Sequence, residues 1–154
     1  MNTKYEFVPG DEIVIAPGRT LKRIRALVVI SYFVDPGALG GYIEDSKNLQ
    51  VFGNSWVSGN SHVSGNSHVS GDAEVSGDGL IFWASKVGTA NGTLTVYRAK
   101  DNSLQVTRGC FIGSIDEFLA KSEVEHDDQT HLEYRLLIEV AYSRITRAIA
   151  KGNL

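Results

Sequence analysis

Histidine is the side chain best suited to acid–base chemistry and zinc binding near neutral pH, and this chain repeats it. His62 and His68 each precede a valine, six residues apart, in VSGNSHVSGNSHV. A three-histidine zinc site needs another ligand, and neither His126 nor His131 has matching spacing. We therefore predict that His62 and His68 contact a ligand or a neighbouring subunit. We expect no catalytic residue, metal site or cofactor.

A basic cluster is the second group with recognisable chemistry. It contains Arg19, Lys22, Arg23 and Arg25, and in a strand Arg23 and Arg25 point to the same face. Guanidinium groups bind phosphate through paired hydrogen bonds, which suits a phosphorylated ligand or an acidic protein. The alternative is a strand edge protected by charge. The net charge of −3 and the lack of interleaved aromatic residues argue against a nucleic-acid polymer.

Aromatic residues complete the candidate set. Tyr42 follows a glycine-rich entry turn, and Trp56 lies in the repeat, so with Trp83 they are candidates to line a flat-ligand pocket at subunit boundaries. The alternative is that they pack in the core. The predicted ligand-binding residues are Arg23, Arg25, Tyr42, Trp56, His62 and His68.

These residues belong to a segment that repeats every six residues between Val51 and Ser85. Each hexad has one aliphatic position and one small position, a period that fits neither an α-helix nor a hairpin sheet. We predict a coil of about 18 residues per turn, with valines inward and Gly-Asn or Gly-Asp steps at the corners. This spacing places Trp56 over Glu74 and His62 over Leu80. Flat faces of such a prism invite trimeric packing.

Four segments follow one another: an N-terminal β segment over 1–50, the repeat over 51–92, a β-hairpin over 93–112 and helices over 113–154. A strand is expected from Ile24 to Val34. A capping box at Ser114 and Glu117 predicts a helix through about Glu125, and a longer amphipathic helix covers 131–150. One stripe of the long helix is Tyr134, Leu137, Ile138, Ala141, Ile145 and Ala148. A second stripe, Leu132, Leu136 and Val140, packs either inside the chain or against another subunit.

The hexads resemble the left-handed parallel β-helix of hexapeptide-repeat proteins. The run LGGYIEDSKNL at Leu39–Leu49, followed by the hexads and by GCFIGSIDEF at Gly109–Phe118, is similar to a group of small phage and prophage proteins. The resemblance implies a mainly β fold with C-terminal helices, in which a short left-handed β-helix is capped by N-terminal strands and C-terminal helices. It transfers no catalytic residues.

The expected function is non-enzymatic. We expect a homotrimeric phage-type protein that sequesters or blocks a host defence component, either a small anionic nucleotide signal at subunit boundaries or a defence protein. The alternatives are a hexapeptide-type acyltransferase or zinc-dependent lyase, and a structural assembly module. Cys110 is the single cysteine, expected to be buried, and its isolation favours a reducing compartment. With no apolar signal core or membrane-length segment, the expected location is the bacterial host cytoplasm, with no membrane partner.

Overall fold

The computed structural model describes residues 2–30 and 34–152. The chain divides into two compact units, Met1–Asp78 and Gly79–Leu154. Most regular elements are strands and the α-helices come last, which confirms the prediction of a mainly β chain with C-terminal helices. The elements are β1 Tyr5–Ala16, β2 Arg19–Ala26, β3 Leu39–Ile43, β4 Trp56–Val57, β5 His62–Val63, β6 Glu74–Val75, β7 Ile81–Val87, β8 Gly92–Arg98, β9 Leu104–Arg108, β10 Phe111–Ser114, α1 Ile115–Glu125 and α2 Asp128–Gly152.

The N-terminal unit is built on a sheet with the order β1-β2-β3-β5. β1 pairs with β2, and β2 with β3, in antiparallel register. The strand predicted from Ile24 to Val34 is shorter than expected, because β2 ends at Ala26. There the backbone N–H of Ala26 donates to Ala38 and its carbonyl accepts from Gly37, just before β3 begins. Within the predicted strand, residues 31–33 lie outside the described residues.

The hexad segment does not form the predicted left-handed parallel β-helix. Its parallel contacts are two-residue pairings of β3 with β5 and of β4 with β6, and a single bridge between Leu49 and Val69. β5 is the edge of a mixed sheet, and β7 leaves the repeat to pair antiparallel with β8. A solenoid needs a run of coils that pair successively with one another. In the described part of the chain the long flanking strands form antiparallel ladders instead, and no solenoid results.

Local features of the hexads nevertheless agree with the sequence-based expectation. From Ser55 to Val75 the aliphatic positions point inward and the small positions are also buried, which lets the chain turn closely around the valines, whereas Gly79 and Ser85 are exposed. Gly59 and Gly65 occupy the left-handed region at the corners, with φ of 62° and 63°. Trp56 pairs with Glu74 as expected. Among the hexad residues, those with no exposed surface are Val57, Val63, Val69, Val75, Ser55, Ser61, Ser67 and Ala73.

The C-terminal unit contains an antiparallel sheet in the order β10-β9-β8-β7. β8 and β9 form the predicted hairpin around Lys100–Asn102, with Asn102 in the left-handed region at φ 66°. The two helices pack on this sheet through apolar side chains. The buried core comprises Val87, Leu94, Val96, Leu104, Val106, Phe118, Tyr134, Ile138, Ala141 and Ile145.

Helix boundaries follow from side-chain capping. Ser114 and Glu117 form the predicted reciprocal capping box, and α1 runs to Glu125 as expected. α2 begins at Asp128, earlier than predicted, because the Asp127 carboxylate accepts a 2.7 Å hydrogen bond from the backbone N–H of Thr130. Its first apolar stripe is largely buried, whereas the second is exposed, so the idea that both pack inside the chain was wrong.

We expect Gly41→Ala to destabilise the N-terminal unit. A Cβ at Gly41 would lie 2.7 Å from the carbonyl oxygen of Ser61 and 2.8 Å from Val57 Cγ1, and the backbone oxygen cannot move cheaply. Urea unfolding should show a free energy of unfolding lower by about 1–3 kcal/mol. Gly77→Ala is the control, because nothing lies within 4 Å of the position that a Cβ would take there, and its φ is not left-handed. Equal midpoints for the two variants would contradict the packing at Gly41.

Candidate functional site

Three of the predicted ligand-binding residues lie together on adjacent strands of the N-terminal sheet. Arg23 on β2 faces Tyr42 on β3, and Tyr42 pairs with His62 on β5. The Arg23 Nη2 donates a 2.8 Å hydrogen bond to the Tyr42 hydroxyl, and the guanidinium carbon lies 4.4 Å from the ring centroid. The centroids of the Tyr42 and His62 rings are 5.7 Å apart. The strand register therefore assembles a cation, a phenol and an imidazole.

Carboxylates neutralise this cluster. Arg23 Nε donates to Asp11 at 2.8 Å, and the Tyr42 hydroxyl donates to the same carboxylate at 2.7 Å. His62 Nδ1 lies 3.1 Å from Asp78 Oδ2, and Asp78 also accepts the backbone N–H of His62. Such pairing is typical of a charge-protected strand, and it leaves this cluster weakly attractive to an anion.

The other predicted residues lie apart from that cluster. Arg25 pairs with Glu6 at 2.6 Å on the outer part of the sheet. Trp56 is only 4% exposed and packs against Gly40. His68 Nδ1 lies 2.6 Å from the carbonyl oxygen of Lys47, so this nitrogen carries the proton. The structure does not gather the six predicted residues into one site.

A second ion pair joins Arg19 on β2 to Glu44, the residue that follows β3. Arg19 donates through Nε and Nη2 to Glu44 at 2.9 and 2.8 Å. The backbone N–H of Gly65 donates to the same carboxylate at 2.7 Å. The Arg19 hydrogen bonds, followed by the Gly65 bond, lower the pKa of Glu44 to about 2. This carboxylate therefore ties the hexad segment to the sheet.

A pocket that no sequence pattern indicated lies within the C-terminal unit. Its volume is about 280 Å³, and it opens between the β7–β8 turn, the β9–β10 turn and the two helices. It combines cationic, aromatic and hydroxyl side chains in one concave surface. The cationic and aromatic lining residues include Arg108, Phe111, Phe118, Lys121, His126 and Tyr134.

Arg108 and Tyr134 form the polar centre of this pocket. Arg108 Nε donates a 2.9 Å hydrogen bond to the hydroxyl oxygen of Tyr134, whose side chain is only 1% exposed. Two glycines make this arrangement sterically accessible. A Cβ at Gly92 would lie 2.6 Å from the Arg108 guanidinium, and one at Gly88 would lie 2.1 Å from the Tyr134 hydroxyl. Larger residues at these positions would displace both groups.

The charge of the pocket is predominantly positive. Among the described residues, no carboxylate lies within ion-pair distance of Arg108. Lys121 Nζ lies 4.0 Å from Glu125 Oε1 and 5.6 Å from the Phe111 ring, so its charge is only weakly neutralised. His126 adds an imidazole to the lining, a group that can donate or accept a hydrogen bond. The arrangement attracts an anion.

A hydroxyl fixes the imidazole at the pocket wall. Ser122 Oγ lies 2.9 Å from His126 Nδ1 and 3.0 Å from His131 Nδ1. One hydroxyl donates only one proton, so at least one of these two nitrogens must carry its own. Ser122 is 2% exposed, and the His126 ring lies 5.3 Å from that of Tyr134. The orientation of His126 is therefore set from two sides.

Aromatic rings form the apolar wall. The rings of Phe111 and Phe118 lie 5.4 Å apart, and those of Phe118 and Tyr134 lie 5.1 Å apart, both edge to face. The β9–β10 turn also brings Cys110 to the pocket, where it is exposed, so the expectation of a buried thiol was wrong.

Searches against protein-family profiles, curated proteins and solved structures return no significant match. Neither α-helix in the described part of the chain is long and apolar enough to cross a membrane. Within residues 2–30 and 34–152, no three His, Cys, Asp or Glu side chains are placed to hold a metal ion together.

Glu44→Gln should weaken the N-terminal unit in a pH-dependent way. The folded-state pKa of about 2 lies below the usual pKa of about 4.3, so the carboxylate stabilises the fold above pH ~4.3, and this stabilisation is lost as pH falls toward 2. At neutral pH we expect the variant to lose about 1 kcal/mol of unfolding free energy.

Urea unfolding across this pH range measures the effect. The difference between wild type and Glu44→Gln should shrink as pH falls, and Glu12→Gln on the exposed part of β1 serves as the control. A difference that stays constant down to pH ~2 would contradict the role of Glu44.

Proposed function

We propose that this protein is a non-enzymatic binding protein that holds a small anionic ligand with a planar ring in the C-terminal pocket. The observation that carries the proposal is the position of Arg108. Its guanidinium lines a concave surface, is held in place by Tyr134, and has no carboxylate partner among the described residues. A fixed, unneutralised guanidinium in a cleft is suited to phosphate or carboxylate recognition.

The neighbouring groups support an anion. Lys121 and His126 line the same pocket, and Glu125 is the acidic side chain among its lining residues. Arg108 uses only its Nε–H toward Tyr134, and its guanidinium carries four further N–H donors. An anion would therefore meet several hydrogen-bond donors and an excess of positive charge.

The size and wall of the pocket support a ligand with a planar ring. Small-molecule pockets typically range from about 300 to 1,000 Å³, so a volume of about 280 Å³ fits a compact ligand. Phe111 is half-buried and lines the pocket, so its ring offers a surface against which a base or another aromatic group can pack, with the buried rings of Phe118 and Tyr134 behind it. A mononucleotide combines the required anion and ring.

The biological setting is proposed from the sequence resemblance to small phage and prophage proteins. In that setting, the ligand is a nucleotide signal of a host defence system, sequestered in the bacterial cytoplasm. The pocket takes the place of the subunit boundary expected from the sequence, because the Arg23, Tyr42 and His62 cluster is already neutralised by carboxylates. The proposed role is to bind the ligand without turnover.

Arg108→Gln should weaken ligand binding at least tenfold, because loss of a charge-assisted contact costs about 1.5–3 kcal/mol. Isothermal titration calorimetry with inorganic phosphate, AMP and cyclic AMP measures the effect. Wild-type affinity should fall as salt is added. The matched control is Arg98→Gln, since Arg98 contacts Asn102 at the hairpin turn and does not line the pocket.

Two results would overturn the proposal. One is that the wild-type protein binds none of the three probes. The other is that Arg108→Gln binds as tightly as wild type while a thermal melt shows it to be folded. Conversion of a probe into product by the wild-type protein would overturn the non-enzymatic part alone.

A further inference from the structure

The outward side of α2 carries an apolar ridge. Leu132, Leu136 and Val140 are exposed by 43%, 53% and 48%, while Tyr134, Ile138, Ala141 and Ile145 bury the opposite side. The three exposed residues are spaced by four, so they form one of the ridges by which α-helices commonly pack against each other. Three large apolar side chains in a row on one exposed ridge indicate a surface that is covered in use.

Charged residues continue this ridge at both ends. Asp128 lies four residues before Leu132, and Arg144 lies four residues after Val140, and both are exposed. Along the ridge, an acidic residue is therefore followed by three apolar residues and then by a basic residue, with Leu136 at the centre. A twofold rotation about Leu136 brings Leu132 against Val140 of another copy. The same rotation brings Asp128 against the opposite charge of Arg144.

We propose that α2 docks against α2 of a second copy of this chain, antiparallel and crossing at Leu136. A twofold interface uses the same patch on both chains, and this ridge is complementary to itself under that operation. Four-residue ridges that interdigitate cross at about −50°, the commonest class in globular proteins.

The charge distribution along the whole helix selects the antiparallel orientation. The first half of α2 carries Asp128, Glu133 and Glu139 with Arg135, whereas the second half carries only basic charges, at Arg144, Arg147 and Lys151. An antiparallel pair places the acidic half of one helix against the basic half of the other. A parallel pair would place like charges together.

The ridge is complementary to itself under a twofold rotation. An unrelated partner would not need this property, so its presence favours a second copy of the chain. The ridge is small compared with the roughly 800 Å² per partner of a standard interface, so the dimer should depend on protein concentration. The trimer expected from the sequence would pack through the faces of a prism that does not form. The proposed assembly uses another surface and another symmetry, and does not depend on the ligand pocket.

Sedimentation velocity of the full chain at increasing concentration tests the proposal. Wild type should shift from monomer to dimer, and Leu136→Glu should remain monomeric because the symmetry places the introduced carboxylates against each other. Tyr142→Glu is the control, because Tyr142 is 56% exposed on α2 but lies off the ridge. Far-ultraviolet circular dichroism verifies that both variants are folded.

A charge exchange tests the orientation. Asp128→Arg alone and Arg144→Asp alone should each weaken self-association about tenfold, because each creates two like-charge contacts in a twofold dimer. Mixed together, the two variants should recover a heterodimer, since each introduced charge then meets its opposite. A wild-type protein that stays monomeric, a trimer, an unaffected Leu136→Glu dimer, or a mixture that fails to associate would overturn the proposal.

Discussion

The hydrogen bond from Arg108 to Tyr134 is the contact on which the C-terminal pocket depends. A phenol that is 1% exposed needs a polar partner, and Arg108 at the end of β9 supplies it. The bond ties the sheet to α2, and Gly88 and Gly92 leave the required space. The contact therefore stabilises the packing and also fixes the guanidinium at the pocket wall.

The features that were predicted correctly from the sequence each depend on residues close together in the chain. The inward valines, the glycine corners, the hairpin and the capping box of Ser114 with Glu117 all arise within a few residues, so their patterns are visible locally. Strand partnership is not local, because it depends on which ladder offers more hydrogen bonds. The β-helix prediction was wrong for this reason: long antiparallel strands flank the hexads, and parallel contact is restricted to short pairings.

The candidate site, too, depends on contacts between residues that are distant in sequence and therefore hard to predict. Arg23, Tyr42 and His62 were chosen separately for their chemistry, and the register of three strands brings them together. Their neutralisation was not predictable, because Asp11 and Asp78 come from distant parts of the chain. The pocket was missed since Arg108 and Tyr134 carry no local motif and meet only when α2 packs on the sheet. Cys110 was misplaced because a small thiol between Gly109 and Phe111 gives no sign of exposure.

Ligand binding and self-association, as proposed, use different sides of α2. Residues of one helix face recur every three to four positions, so Tyr134 and Leu136 lie on different sides of α2 although they are close in sequence. The buried side positions the pocket through Tyr134, and the exposed ridge is available to a second copy. A substitution at Leu136 should therefore change association without removing a pocket-lining residue, and one at Arg108 should change ligand binding without touching the ridge. The two surfaces share a helix but no side chain. A failure of the ligand-binding experiment would therefore not contradict the proposed dimer, and a monomeric protein would not contradict ligand binding.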